Sequence, residues 1–304
     1  MKVSIFRWLL ILLPAITTVS CSSPEVDKIQ NEIDEVGQFW VPDKREAVNN
    51  VIIKSDGARY IVSGEVDQPE HKAAIMDYFR EKQEEVIDSL VVLPDHDDDH
   101  WGLITVSYGN LRAQPRHSAE LLTQAILGTP VKILKKEGSW LYIQTPDRYL
   151  GWITGSSLNT KSEDEMKSWR SSDRVIVTTI SSLIYSDERE GAVVCDVVLG
   201  CIIEVVSVRP GHYSVILPDG RSGFLNRNDC TPLSEWLPKT EATVASLVMY
   251  GERLNGVPYL WGGTTVYGLD CSGFMKTIFF INGTILARDA SLQVRHGIEV
   301  GLRR

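Results

Sequence analysis

Two stretches of this chain, AILGTPVKILKKEGSWLYIQTPDRYLGWI and VVLGCIIEVVSVRPGHYSVILPDGRSGFL, align without a gap at an offset of 72 residues. Gly128 falls on Gly200, Pro146 and Asp147 on Pro218 and Asp219, Gly151 on Gly223, and Trp152 on Phe224. The apolar positions repeat with the turns, Val131, Ile133 and Leu134 falling on Ile203, Val205 and Val206. Self-similarity at a fixed offset means one structural unit made twice. Within each copy, short runs of alternating apolar residues are separated by KEG, PDR and PDG, the composition of tight turns. The pattern dictates two compact β-barrels, over residues 103–158 and 174–230.

The other domains are fitted around that pair, and 304 residues with 43% hydrophobic and 23% charged composition allow two or three domains in all. A net charge of −9 argues against affinity for phosphate backbones, so no nucleic-acid partner is expected. The chain opens MKVSIFRWLLILLPAITTVSCSS, with Lys2 and Arg7 ahead of an apolar stretch from Trp8 to Ile16. That stretch is too short for a membrane span and reads as a secretory signal over residues 1–21. Cys21 follows Val19 and Ser20, which resembles a bacterial lipobox, although Thr18 stands where an aliphatic residue is usual. The resemblance implies an exported protein, periplasmic or anchored to a membrane by lipid on Cys21; an ordinary cleaved signal is the plainer alternative.

Residues 24–98 alternate a polar helix (EVDKIQNEIDEV), strand-like runs (NNVIIKSD, RYIVSGEV) and the amphipathic PEHKAAIMDYFREKQEEVIDSL, the pattern of a small α/β domain. The last run starts with Pro69 and Glu70 and predicts one helix with Ala74, Ile75, Tyr78, Phe79 and Val86 near one face. PDHDDDHW follows, a run of acids that reads as a solvated linker rather than a metal site. Cys195, Cys201, Cys230 and Cys271 form no CxxC pair, so neither zinc nor a dithiol couple is suggested. Cys195 and Cys201 sit in apolar surroundings that suit inert buried thiols, and no spacing selects a disulfide.

After the linker PLSEWLPKT the pattern turns helical in EATVASLVMYGERLNG, and a third domain begins at about residue 242. Gly262 and Gly263 make a bend, Gly268 allows another, and CSGFMKTIFFING then suits a buried helix ending at Asn282 and Gly283. Cys271 therefore stands at a helix N-terminus, where backbone N–H groups stabilise a thiolate and could hold an oxyanion. A buried Cys serving as a small apolar residue is the plain alternative, and the flanking Asp270 and Ser272 weaken it.

GVPYLWGGTTVYGLDCSGF, with ARDASLQVRHG downstream, resembles the NlpC-type papain-like cysteine peptidases, which hydrolyse amide bonds in peptidoglycan stem peptides, over residues 242–304. The two β modules resemble the bacterial SH3-like fold, and together the three resemble the γ-D-glutamyl-L-diamino acid endopeptidases. The resemblance implies an α+β multidomain chain: a small N-terminal α/β region, two SH3-like barrels and the N-terminal part of a papain-like domain. It implies Cys271 as nucleophile, with Asp270, Ser272 and Tyr259 lining the pocket and holding the free amine of an N-terminal L-alanine. An acid from the first SH3-like module reaches the same amine in that subgroup, and Glu120 in RHSAELL is the candidate. Desolvating an ammonium group against two carboxylates selects peptides with a free amino end. A solvated Glu120 and a merely packing Tyr259 are the alternatives. Thiol chemistry requires no cofactor and no metal.

The family's base is a histidine on a strand well after the cysteine helix. His296 is the one histidine downstream of Cys271, and RDASLQVRHGIEV places it at the end of a helix where the family has no catalytic role. The sequence is therefore expected to stop short of the base, which would lie beyond Arg304. The expected function is hydrolysis between γ-D-glutamate and a diamino acid through a thioester on Cys271. The other reading is a non-catalytic binder of wall peptides whose third domain is vestigial.

Overall fold

The computed structural model describes residues 24–95 and 100–298. Cys21 with its leader, and the middle of PDHDDDHW at residues 96–99, lie outside the described residues. The described chain is mixed α+β, with sheets of three, seven and seven strands and a two-stranded ribbon.

The N-terminal domain runs α1 (Pro24–Trp40), β1 (Asn49–Ser55), β2 (Tyr60–Val66), α2 (Pro69–Glu81) and β3 (Val86–Val92). α1 buries Val26, Ile29, Ile33 and Gly37, one stripe at helical spacing, against the sheet. α2 buries His71, Ile75 and Phe79 on the same principle. It ends at Glu81, not at Leu90 as the sequence pattern predicted. Gln83 takes φ 56, which no helix tolerates, and the chain re-enters as β3, where Val86 pairs with Tyr60 alongside β2. The β-branched Val86 and Ile87 gain a parallel ladder there, and a parallel pair needs the intervening helix as its crossover.

The first seven-stranded sheet comprises β4 (Trp101–Ile104), β5 (Tyr108–Arg112), β6 (Leu121–Ile126), β7 (Pro130–Glu137), β8 (Trp140–Gln144), β9 (Leu150–Thr154) and β10 (Leu158–Lys161). The second comprises β11 (Arg174–Val177), β12 (Ser181–Tyr185), β13 (Val193–Val198), β14 (Ile202–Val208), β15 (His212–Ile216), β16 (Ser222–Asn226) and β17 (Cys230–Pro232). Their orders are β10-β4-β7-β8-β9-β5-β6 and β13-β12-β16-β15-β14-β11-β17, the same permutation written from opposite edges. β8 and β9 lie 72 residues before β15 and β16, end for end. Even the irregularities repeat: the register shifts at Ile133/Lys135 and again at Val205/Ser207. Each sheet closes around its own core, Ile104, Leu111, Ile143 and Ile153 in one, and Val197, Val215 and Leu225 in the other. Cys195, Cys201 and Cys230 belong to the second core as free thiols, and burial pushes Cys201 and Cys230 up to about 12. The modules meet where Gly128, at φ +77, lets backbone approach so closely that a Cβ would lie 1.8 Å from the Ile202 carbonyl.

α3 (Glu163–Ser171) joins the sheets, started by a capping box between Ser162 and Glu165. The stretch read as a linker folds as α4 (Leu233–Lys239). The third domain then runs α5 (Val244–Arg253), the ribbon β18 (Thr264–Thr265) and β19 (Gly268–Leu269), α6 (Cys271–Phe280) and α7 (Ala290–Gln293). It docks on the first sheet through Gln124 of β6. That side chain accepts from Thr264 N–H at 3.0 Å and Thr265 Oγ1 at 3.2 Å, while its carbonyl accepts from Thr264 Oγ1 at 3.0 Å. Lys276 of α6 adds a 2.6 Å ion pair to Asp147. This docking brings the start of α6 to the loops of the first sheet.

Candidate active site

Cys271 is the first residue of α6 and is exposed, which fits a reactive thiol and not a core residue. Asp270 is the N-cap, and its Oδ1 accepts from Gly273 N–H at 2.7 Å. Its Oδ2 accepts from Gly262 N–H at 2.9 Å, so one carboxylate ties the glycine bend to the helix start. Gly262 itself is at φ +80, and a Cβ there would sit 2.4 Å from the Leu121 carbonyl. The WGG bend is thus what lets the cysteine domain close against β6.

Arg288, 1% exposed, lies beneath this arrangement. It donates to both Asp270 oxygens at 3.1 and 2.6 Å and to Ser272 Oγ at 2.8 Å, and Ser272 Oγ donates to Asp270 Oδ1 at 3.2 Å. Burial pushes the Asp270 carboxyl up, but the Arg288 guanidinium and the Gly273 and Gly262 N–H groups together hold it below the usual carboxylate range. Asp270 is therefore a charged, fully engaged support for the Cys271 turn. Ser272 is buried as part of the same network.

A cleft of about 380 Å³ opens over Cys271. Glu120, Tyr259, Asp270 and Ser272, singled out in the sequence, all line it with the thiol. Glu120 stands just before β6, and Trp261 Nε1 donates to its Oε1 at 2.9 Å. Tyr259 is 68% exposed and lines the cleft. Tyr149, Asp289, Ser291 and Arg45 also line the cleft, and the sequence pointed to none of them. Tyr149 is buried and donates to Asp289 Oδ2 at 3.0 Å; burial first, then Asp289, raise its phenol well above the ordinary value. His296 falls in a 3-10 turn, Val294–His296, and does not line the cleft.

Residues 256–302 match the NlpC/P60 family, and residues 111–158 match the bacterial dipeptidyl-peptidase SH3 domain. The chain is similar to the γ-D-glutamyl-L-lysine dipeptidyl-peptidase of Bacillus cereus, 30% identical over 189 residues, covering 60% of this chain and 56% of that one. The enzyme of the same name from Bacillus subtilis is 26% identical over 188 residues, with 59% and 60% covered. The chain thus spans less than two thirds of the length of these two relatives. A crystal structure of an NlpC/P60 family protein from Bacillus cereus superposes with a TM-score of 0.59 at 25% identity, covering 66% of this chain and 79% of that one. An NlpC/P60 endopeptidase from Photobacterium damselae shares the fold, with a TM-score of 0.51 at 19% identity, covering 66% and 47%.

Proposed function

We propose that this protein is a cysteine peptidase of bacterial cell-wall peptides that cuts between γ-D-glutamate and a diamino acid. One observation carries the reading: an exposed thiol at a helix N-terminus shares a cleft with an acidic, aromatic-flanked wall from the SH3 domain. The Cys271 thiolate attacks the γ-linked carbonyl, and N–H groups in the first turn of α6 take the oxyanion. The amine of the diamino acid leaves with a proton, the acyl group stays on Sγ as a thioester, and water releases it. Among the described residues lining the cleft there is no histidine, so the group that takes the thiol proton is assigned to none of them.

The substrate's free N-terminal ammonium is read as facing Glu120 and Tyr259. Asp270, already engaged by Arg288, contributes negative field at that end more than a free lone pair. Residues 174–230 are read as a second SH3-like module, given the shared strand order. The leader and Cys21 fit an exported, lipid-anchored protein working on the wall from outside the cytoplasm.

The test uses the protein as its own cell makes it, with L-Ala-γ-D-Glu-L-Lys and the N-acetylated form of the same peptide. Release of L-Ala-γ-D-Glu is expected from the first, at least about 100-fold slower from the second, and from neither after Cys271→Ala. Equal cleavage of both would remove the ammonium from recognition. Tight binding with no turnover by the unaltered protein would favour a wall-peptide binder instead.

A further inference from the structure

Neither family match reaches residues 24–95, yet that domain puts a side chain into the cleft. Arg45 stands in the loop between α1 and β1. Its carbonyl accepts from Leu150 N–H at 2.9 Å, and the Glu46 carbonyl accepts from Gln144 Nε2 at 2.7 Å, so the loop is pinned to strands of the SH3 domain. Asp43 holds the guanidinium from behind, accepting from Nε at 2.8 Å and Nη2 at 2.7 Å. Nη1 is thereby aimed across the domain boundary, where it donates to Asp289 Oδ2 at 2.6 Å and Ser291 Oγ at 3.0 Å. Arg295 closes the group by donating to Asp43 Oδ2 at 3.0 Å.

The segment that Arg45 grips begins without a side-chain cap of its own. Asp289 is the N-cap of α7, but its side chain makes no cap bond, because it is turned outward to Arg45 and Tyr149. A helix of four residues lacking its cap does not set its own position. What fixes it are contacts with other elements: Leu292 buried against Tyr149 and Ala287, Arg45 and Tyr149 bonded to Asp289 at one end, and Gln293 donating to the Ser272 carbonyl at 3.1 Å at the other. Asp289, Ala290 and Ser291 form one wall of the cleft that holds Cys271.

We infer that Arg45 is a positioning residue for the substrate site, fixing the Asp289–Ser291 wall and making the N-terminal domain its third contributor. The inference rests on the peptidase reading only for the choice of ligand. Replacing Arg45 leaves the thiol and its helix untouched and lets the opposite wall move, so the cost falls on binding rather than on the chemical step.

The experiment compares unaltered protein, Arg45→Lys and Arg45→Ala. With L-Ala-γ-D-Glu-L-Lys, Arg45→Ala is expected to raise KM about tenfold or more with kcat within about threefold, and Arg45→Lys to recover part of the loss. Calorimetry with L-Ala-γ-D-Glu on the Cys271→Ala background should give the same ratio in Kd without turnover. Equal KM and Kd in Arg45→Ala overturn the inference. If the unaltered protein neither binds nor cuts these peptides, the peptidase reading fails, and amide exchange of residues 287–293 decides on Arg45 alone. Faster exchange there in Arg45→Ala than in the parent supports positioning, and identical exchange overturns it. Should Arg45→Ala not fold, Asp43→Asn, which keeps the arginine but loosens its grip, must show the same effects at smaller size or the inference falls.

Discussion

The two seven-stranded sheets share one strand order and one turn pattern, yet only the first touches the cleft. The difference lies at loop positions that the 72-residue offset lets one read in pairs. Asp147 reaches Lys276 of the cysteine helix, whereas its counterpart Asp219 turns back to Arg221 in its own module. Tyr149 reaches Asp289, and its counterpart is Arg221. Glu120 lines the cleft, and its counterpart is the exposed Ala192. The strands carry a common scaffold, and recruitment to the site was decided by a few side chains at strand ends. The second module instead supplies support: Tyr267 donates to its Asp196 at 3.1 Å, and Leu199 packs with Ile281.

The contrast between the cleft and the second module is tested most strongly by removing one arginine from each. Arg288→Met strands the buried Asp270 carboxylate and should cost about 3–5 kcal/mol of stability, read as a fall in Tm. Arg221→Met breaks a pair that is 41% and 29% exposed and should cost about 1–2 kcal/mol, mostly through its bonds to the Thr105 and Val194 carbonyls. Equal losses would mean that the Arg288 network is no more buried in energy than a surface pair.

A smaller effect is expected from changing the paired positions Glu120 and Ala192. Glu120→Gln keeps the Trp261 bond in reach but removes the charge, and should raise KM for a free-amine peptide about 10–100-fold with little change for the acetylated one. Ala192→Glu, which copies the acid into the second module, should leave both unchanged. A KM shift from Ala192→Glu would mean that the two modules share the site.

Much of this was legible in the sequence for identifiable reasons. The repeat fixed β8, β9, β15 and β16 because turns and apolar alternation are local properties. Cys271, Asp270 and Gly262 were readable because a cap, a nucleophile and a bend sit within ten residues of one another. Arg288, Arg45 and Tyr149 were not. Arg45 meets Asp289 across 244 residues, and Tyr149 meets it across 140, distances over which no spacing rule operates. The overlong helix after Pro69 failed for the opposite reason. Its polar tail EKQEEVIDSL carries no glycine or proline to mark the break, which is made by Gln83 and by the ladder waiting along β2.

The smallest expected effect is a pH dependence at the cleft itself. Asp270 has its folded pKa below the unfolded one, so the stability it contributes is fully present above about pH 4 and is lost as pH falls through the lower, folded value. The ion pair beneath Cys271 should therefore outlast the ordinary carboxylate range on acidification, with the cleft still formed near pH 4. Carbon-13 shifts of the Asp270 carboxyl would follow this directly: a midpoint below the ordinary aspartate value is expected, moving upward in Arg288→Met as the cation is lost and burial is opposed by the Gly273 and Gly262 N–H groups alone. A midpoint at the ordinary aspartate value in the parent protein would mean that desolvation cancels the guanidinium. The cleft would then rest on a carboxylate no better stabilised than one on the protein surface.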